Sequence, residues 1–248
     1  MESVLHLLLY PLTRLWDVLQ ELRGRWPTER RKAALINAPK VRAARAAELE
    51  RIQGLVAALG AVEGVEHLLT QVRDFSVPPR AVLDRTRLSD ADALLICRIH
   101  ARAYYVVREP VTDVLPRIEA ADVTEWRARD QRPSAGGSVE HALRWYRDGG
   151  LTPEGRRMDS PGLDSAVARL SWDRPDIPCP DPEPKRPYPT ARFTLDQTPP
   201  DADAAQLLRE ARADGRGVVL ELVVGKDGRA YSEYHVVPRG GLLGRGRL

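Results

Sequence analysis

The chain has 248 residues, 43% of them hydrophobic, with a formal net charge of +3. That is enough for one large domain or two to three small ones, and the hydrophobic content is ordinary for a globular protein with a real core. Val4 to Leu12 is too short to span a bilayer and holds Pro11, and no basic segment precedes it, so a soluble cytoplasmic protein with no membrane span is expected.

In chain order, Leu5, Leu8, Leu12, Leu15, Leu19 and Leu22 form a leucine seam of coiled-coil spacing. It suits a helix docked on the protein's own core, an oligomer seam or a membrane-surface helix. Residues 23 to 45 follow with eight basic side chains against Glu29, a local charge of +7, while the rest of the chain sums to −4. This asymmetry fits an anionic partner, and equally a solvated helix face. Arg30, Arg31 and Lys32 are the candidate phosphate contacts within it. From Lys40 to Arg73 the apolar spacing predicts a long helix, interrupted by Gly54, Gly60 and Gly64, so residues 1–75 read as a helical module.

After a break at Ser76 to Pro79, Ser89 is a candidate N-cap for a helix running through Leu94, Leu95 and Ile99. Tyr104 to Val107 has strand-like composition. Ala120 to Asp130 predicts a helix with Val123 and Trp126 inward. A second helix starts at the N-cap Ser138, buries Val139, Ala142, Leu143 and Tyr146, and stops at Gly149-Gly150. Leu151 is then expected to return to the core, and Leu163, Val167 and Leu170 to mark a last helix. Residues 76–172 thus read as a second domain.

Seven prolines between Asp173 and Thr190 make a semi-rigid linker, taken as residues 173–200. The remainder, 201–248, reads as a small unit. It has a helix from the N-cap Asp201 to Ala213, then a β-hairpin of Val218 to Val224 and Arg229 to Val237. Val218, Leu220, Leu222 and Val224 fall on one face. The expected fold class is α+β and mainly helical, with a helix-plus-hairpin unit at the C-terminal end. Cys97 and Cys179 imply no disulfide framework.

The segment LRWYRDGGLTPEGRR, residues 143–157, with VTEWRARD before it and LDSAVARL after it, resembles MerR-type and excisionase-like winged helix-turn-helix domains. The resemblance spans residues 120–170. It implies a DNA-binding fold whose second helix enters the major groove while a wing reaches phosphate or the minor groove. Arg144 and Arg147, beside His141, would then face the groove, and Arg156 and Arg157 would form the wing. Residues 204–240 are similar to the opening of WYL domains, without their Trp-Tyr-Leu stretch.

No complete catalytic, cofactor or metal constellation emerges. Cys97 and His100 have half-site zinc spacing, and Asp201 with Glu221 has nuclease-like spacing. The expectation is a DNA-binding accessory or transcription-regulating protein, more binding module than enzyme, with no cofactor. The alternative is an assembly or scaffold subunit that binds itself or another protein through the leucine seam and the hairpin edge.

Overall fold

A computed structural model describes residues 28–77, 93–126, 138–174, 178–179, 192–213, 217–225 and 231–238. The leucine seam, Arg23, Arg25, Ser89, the centre of the proline-rich stretch and the Gly-Arg tail lie outside these. Among the described residues there are five helices and seven strands: α1 (Glu29–Ile36), α2 (Pro39–Gly60), β1 (Val65–Val77), β2 (Ala93–Val107), α3 (Val111–Ala120), α4 (Val139–Arg147), β3 (Leu163–Asp164), β4 (Ala168–Trp172), β5 (Arg192–Thr198), α5 (Ala204–Ala213), β6 (Val218–Val224) and β7 (Ser232–Pro238).

The mainly helical expectation is overturned. The strands form one antiparallel sheet in the order β3-β4-β6-β2-β1-β5, with β7 also pairing β2. The sheet crosses the boundaries expected near residues 75 and 200, and β5 lies inside the expected linker. The error has a physical source in β2. Its sequence, ALLICRIHARAYYVV, is apolar on both faces for much of its length because it is the central strand. A continuous apolar run does not distinguish a buried strand from a buried helix. The long helix expected to Arg73 stops instead at Gly60, and the chain turns at Gly64, whose φ of +85° is open to glycine at little cost. Val65 to Val77 then pairs with β2 from Val107 back to Ile96.

The predicted C-terminal hairpin is also corrected. Both β6 and β7 run antiparallel to β2 and are therefore parallel to each other. β6 pairs with Ala101 to Val107, and β7 pairs with Ala93 to Ile99 on the same edge. β2, fifteen residues long, spans about 50 Å at ~3.3 Å per residue, room for two shorter strands end to end. Between the paired residues Val224 and Ser232 the chain spends seven residues against His100 alone. β6 and β7 thus follow one another in the same direction along β2 instead of pairing as a hairpin.

The two sheet faces differ. One carries Ile99, Ala101, Ala103, Tyr105 and Val107 of β2 with Leu220, Leu222 and Val224 of β6, so the expected apolar face of β6 is present. Ile52 and Leu59 of α2, Val114, Leu115 and Ile118 of α3, and Val139 and Ala142 of α4 cover it. Each fully buried Leu, Ile or Val here contributes about 1.5–3 kcal/mol of transfer free energy. Tyr105 Oη donates to the Val56 carbonyl at 3.0 Å and ties α2 to the sheet. On the other face α5 covers only one end, packing Ala204, Leu208 and Ala211 on Leu69, Tyr104, Val106 and Val219. Asp203, not Asp201, caps α5, its Oδ1 accepting from Gln206 N at 3.0 Å.

Asp173, at the end of β4, clips this side together. Its carboxylate accepts from Arg212 Nε and Nη2, both at 2.9 Å, from Cys179 N at 2.6 Å and from Val219 N at 3.1 Å. Gly217 lets the start of β6 pass close to α5, since a Cβ there would fall 2.4 Å from the Ala211 carbonyl oxygen.

Candidate nucleic-acid interface

The basic segment folds into the helical hairpin α1–α2. Thr28 caps α1, its hydroxyl accepting from Arg31 N at 3.4 Å. Arg30 and Arg31 then sit in the first turn of α1, and Lys40 and Arg42 in the first turn of α2, which holds no acidic residue. A helix N-terminus carries positive partial charge, so cations there are unfavourable unless an anion offsets them. All four side chains are exposed and make no ion pair or hydrogen bond among the described residues. Lys32 differs: it is buried, with Nζ on Glu29 Oε1 at 2.6 Å. Arg45 is also engaged, with Nε at 2.9 Å from Asp74 Oδ2. At the middle of β7, burial, and after it the nearby Lys40 charge, holds the His235 imidazole below its ordinary pKa.

The winged-helix segment keeps only its middle. Ser138 caps α4, accepting from His141 N at 3.2 Å, and Val139 and Ala142 are buried as expected. Gly149 and Gly150 stop the helix with φ of +64° and +74°. Among the described residues neither flank forms the expected helix. α3 ends at Ala120, residues 121–126 form turns, and Leu163 to Leu170 pair as β3 and β4. The hydrophobic spacing of Leu163 and Leu170 reflects cross-strand partners rather than a helix stripe. Leu151 is 45% exposed instead of buried, in a small turn closed by the Leu151–Arg157 bridge.

Arg144 donates to Glu140 at 3.0 Å and Arg147 to Asp148 at 2.9 Å. Asp148 holds Arg147 above its ordinary pKa, and Arg147 in turn holds Asp148 below its own. Such exposed pairs are weak and can exchange with a phosphate. His141 Nε2 lies 3.0 Å from the Asp159 carbonyl oxygen. Arg156 and Arg157 are exposed on the turn, with no side-chain partner among the described residues.

A second group of cations was not legible in the sequence, because its members are scattered from residue 73 to 169. The antiparallel register brings them together on the face that α5 leaves partly open. Arg169, Val223, Arg102, Gln71 and Gln197 form one row across β4, β6, β2, β1 and β5. His100, Arg73 and Leu195 form the next. Arg98 follows, paired with Glu233 at 2.8 Å and stacked 4.5 Å from the centre of the Tyr231 ring. Arg102 donates to the buried Glu221 at 3.1 Å. Glu221 also accepts from Tyr104 Oη at 3.4 Å and Ser171 Oγ at 3.3 Å. Diagonal neighbours on a sheet lie about 7–8 Å apart. Two unit positive charges at that spacing repel by about 2 kcal/mol at an effective dielectric of 20.

The chemical alternatives find no support in the geometry. Cys97 and His100, three apart on a strand, point to opposite faces, and among the described residues no three metal-ligating side chains cluster. Asp201 is exposed in the turn before α5, whereas Glu221 is buried inside the sheet. Burial pushes the Cys97 thiol up to about 11 and the Cys179 thiol up to about 12, so neither forms a ready thiolate. Of the two strands expected to form the hairpin, β6 is paired on both sides, with β2 and β4, whereas β7 pairs only β2 among the described strands. Among the described residues no helix is long and apolar enough to cross a membrane. Comparison with protein-family models, curated proteins and solved structures finds no match to this chain.

Proposed function

We propose that this chain is a non-enzymatic accessory or regulatory protein that binds the phosphate backbone of nucleic acid through the α1–α2 hairpin. One observation carries the proposal: Arg30, Arg31, Lys40 and Arg42 are exposed in the first turns of two successive helices, against both helix dipoles. Apart from Glu29 at the start of α1, no acidic side chain sits in either first turn, and a polyanion would supply the counter-charge that these exposed cations lack. Arg156 and Arg157, and Arg144 and Arg147 once released from their acids, supply a secondary contact. Because phosphate contacts position without specifying sequence, the expected binding is weakly sequence-selective.

The test is duplex binding by fluorescence anisotropy across a salt series. Log affinity should fall linearly with log salt, by about 0.9 per phosphate neutralised. Replacing Arg30, Arg31, Lys40 and Arg42 by alanine should flatten that slope. Salt-independent binding, or none at low salt, rejects the proposal.

A further inference from the structure

We propose that the outer edge of β5 receives an extended, basic segment of a partner protein, which pairs with it as a further strand and seats a Lys or Arg side chain between Asp196 and Asp201. β5 closes the sheet, pairing with Ser76 to Thr70 of β1 on one side and with no strand on the other among the described residues. In an antiparallel pair every second residue turns its backbone N–H and C=O away from the neighbour, so this edge is a template for another strand. The opposite end of the sheet is blunted, since β3 is only two residues long, whereas β5 runs for seven.

A cavity of about 370 Å³ marks where a side chain enters. Leu195, Asp196 and Gln197 line it from the strand, and Pro200, Asp201 and Ala202 from the turn before α5. Consecutive strand residues point to opposite faces, so a cavity touching all three lies along the edge itself. Gln197 Nε2 donates to the Ala202 carbonyl at 2.5 Å and its Oε1 accepts from Gln71, which braces the turn against the strand. The carboxylates of Asp196 and Asp201 are exposed, and neither makes an ion pair or hydrogen bond among the described residues. Burial raises the pKa of the neighbouring Asp74, and the Asp196 charge adds to that rise. A cation is therefore the complementary group here. A second copy pairing edge to edge would bring two more such carboxylates to the same short strand, and a polyanion would be repelled. The site thus differs in chemistry from the α1–α2 surface and does not depend on it. Strand addition supplies backbone hydrogen bonds that any sequence can make, so the two acids set the preference for a basic segment.

The test is fluorescence anisotropy of a labelled synthetic peptide, Thr-Val-Lys-Val-Arg-Val-Thr, titrated with the full chain at low salt. Saturable binding is expected, and the same peptide with Glu in place of Lys and Arg should not bind. N-methylation of alternate backbone amides separates strand addition from charge attraction. Blocking one alternate set should abolish binding, and blocking the other should leave it intact. Asp196→Asn and Asp201→Asn should each weaken binding by about threefold, and together by about tenfold, with circular dichroism unchanged. The α1–α2 alanine variant should bind the peptide as the parent does while losing nucleic acid. No saturable binding of the basic peptide overturns the inference, as do equal affinities of the two N-methylated peptides or unchanged affinity in the folded double variant. A concentration-dependent dimer that the peptide dissociates, seen by light scattering, also overturns it, by placing a second copy on the edge.

Discussion

The helical hairpin α1–α2 and the unit formed by α4 and its turn are both arginine-rich, yet they treat their charges differently. On α4 the arginines come with acids one or four residues away, and Arg144 and Arg147 close onto Glu140 and Asp148. On α1–α2 the acids are scarce, and Arg30, Arg31, Lys40 and Arg42 stay exposed at helix N-termini. Local charge balance, rather than arginine count, separates a surface that satisfies itself from one that needs a partner.

The largest effect expected is from the quadruple alanine variant of Arg30, Arg31, Lys40 and Arg42. Nucleic-acid affinity at low salt should fall roughly a hundredfold, and the salt slope by about 3 to 4. The matching variant of Arg144, Arg147, Arg156 and Arg157 should lose less, and a reversed order in the same anisotropy assay would move the interface to α4.

Next in size is a stability effect confined to the α4 side. At Gly150, φ is +74°, and an added Cβ would fall 2.9 Å from the Trp145 indole. Gly150→Ala should therefore destabilise the fold by about 1–2 kcal/mol or more, read by urea unfolding. Nucleic-acid affinity of the folded fraction should not change. Thr28→Ala on α1 removes a cap worth about 1 kcal/mol and should loosen both stability and binding there.

Smaller is the response to freeing the α4 arginines. Glu140→Gln with Asp148→Asn should raise affinity less than about threefold, and a gain of tenfold or more would make α4 a principal contact.

Smallest is a pH effect at His235. Its folded pKa is depressed, by burial first and then by Lys40. The unfolded chain thus takes up a proton near pH 6.5 that the folded chain resists. The stability involved is present above that pH and is lost as pH falls through the folded pKa. His67, whose pKa burial also lowers, acts in the same direction. A phosphate backbone over Lys40 should offset part of its charge and raise the His235 pKa by on the order of a few tenths of a unit, read by ring-proton NMR. An unchanged His235 titration in the complex would place the backbone away from Lys40.

Local signals were legible where one residue does one job. Ser138 caps α4, Gly149 and Gly150 stop it, and Val218, Leu220, Leu222 and Val224 share the apolar face of β6. They failed where burial erased periodicity. β2 is apolar on both faces toward its two ends, Ala93 to Cys97 and Ala103 to Val107, where neighbouring strands line its edges and apolar side chains pack against both sides. Leu163 and Leu170 sit opposite each other in a hairpin, and that pairing mimics helical spacing.

The basic run at residues 23–45, the turns and the helix caps follow from neighbouring residues, since charge density and backbone geometry are local properties. Which strands meet, and hence the gathering of Arg73, His100, Arg102 and Arg169 on one face, does not. An antiparallel register joins positions a hundred residues apart through backbone hydrogen bonds common to every residue type, so no side-chain pattern along the chain announces which partners it selects.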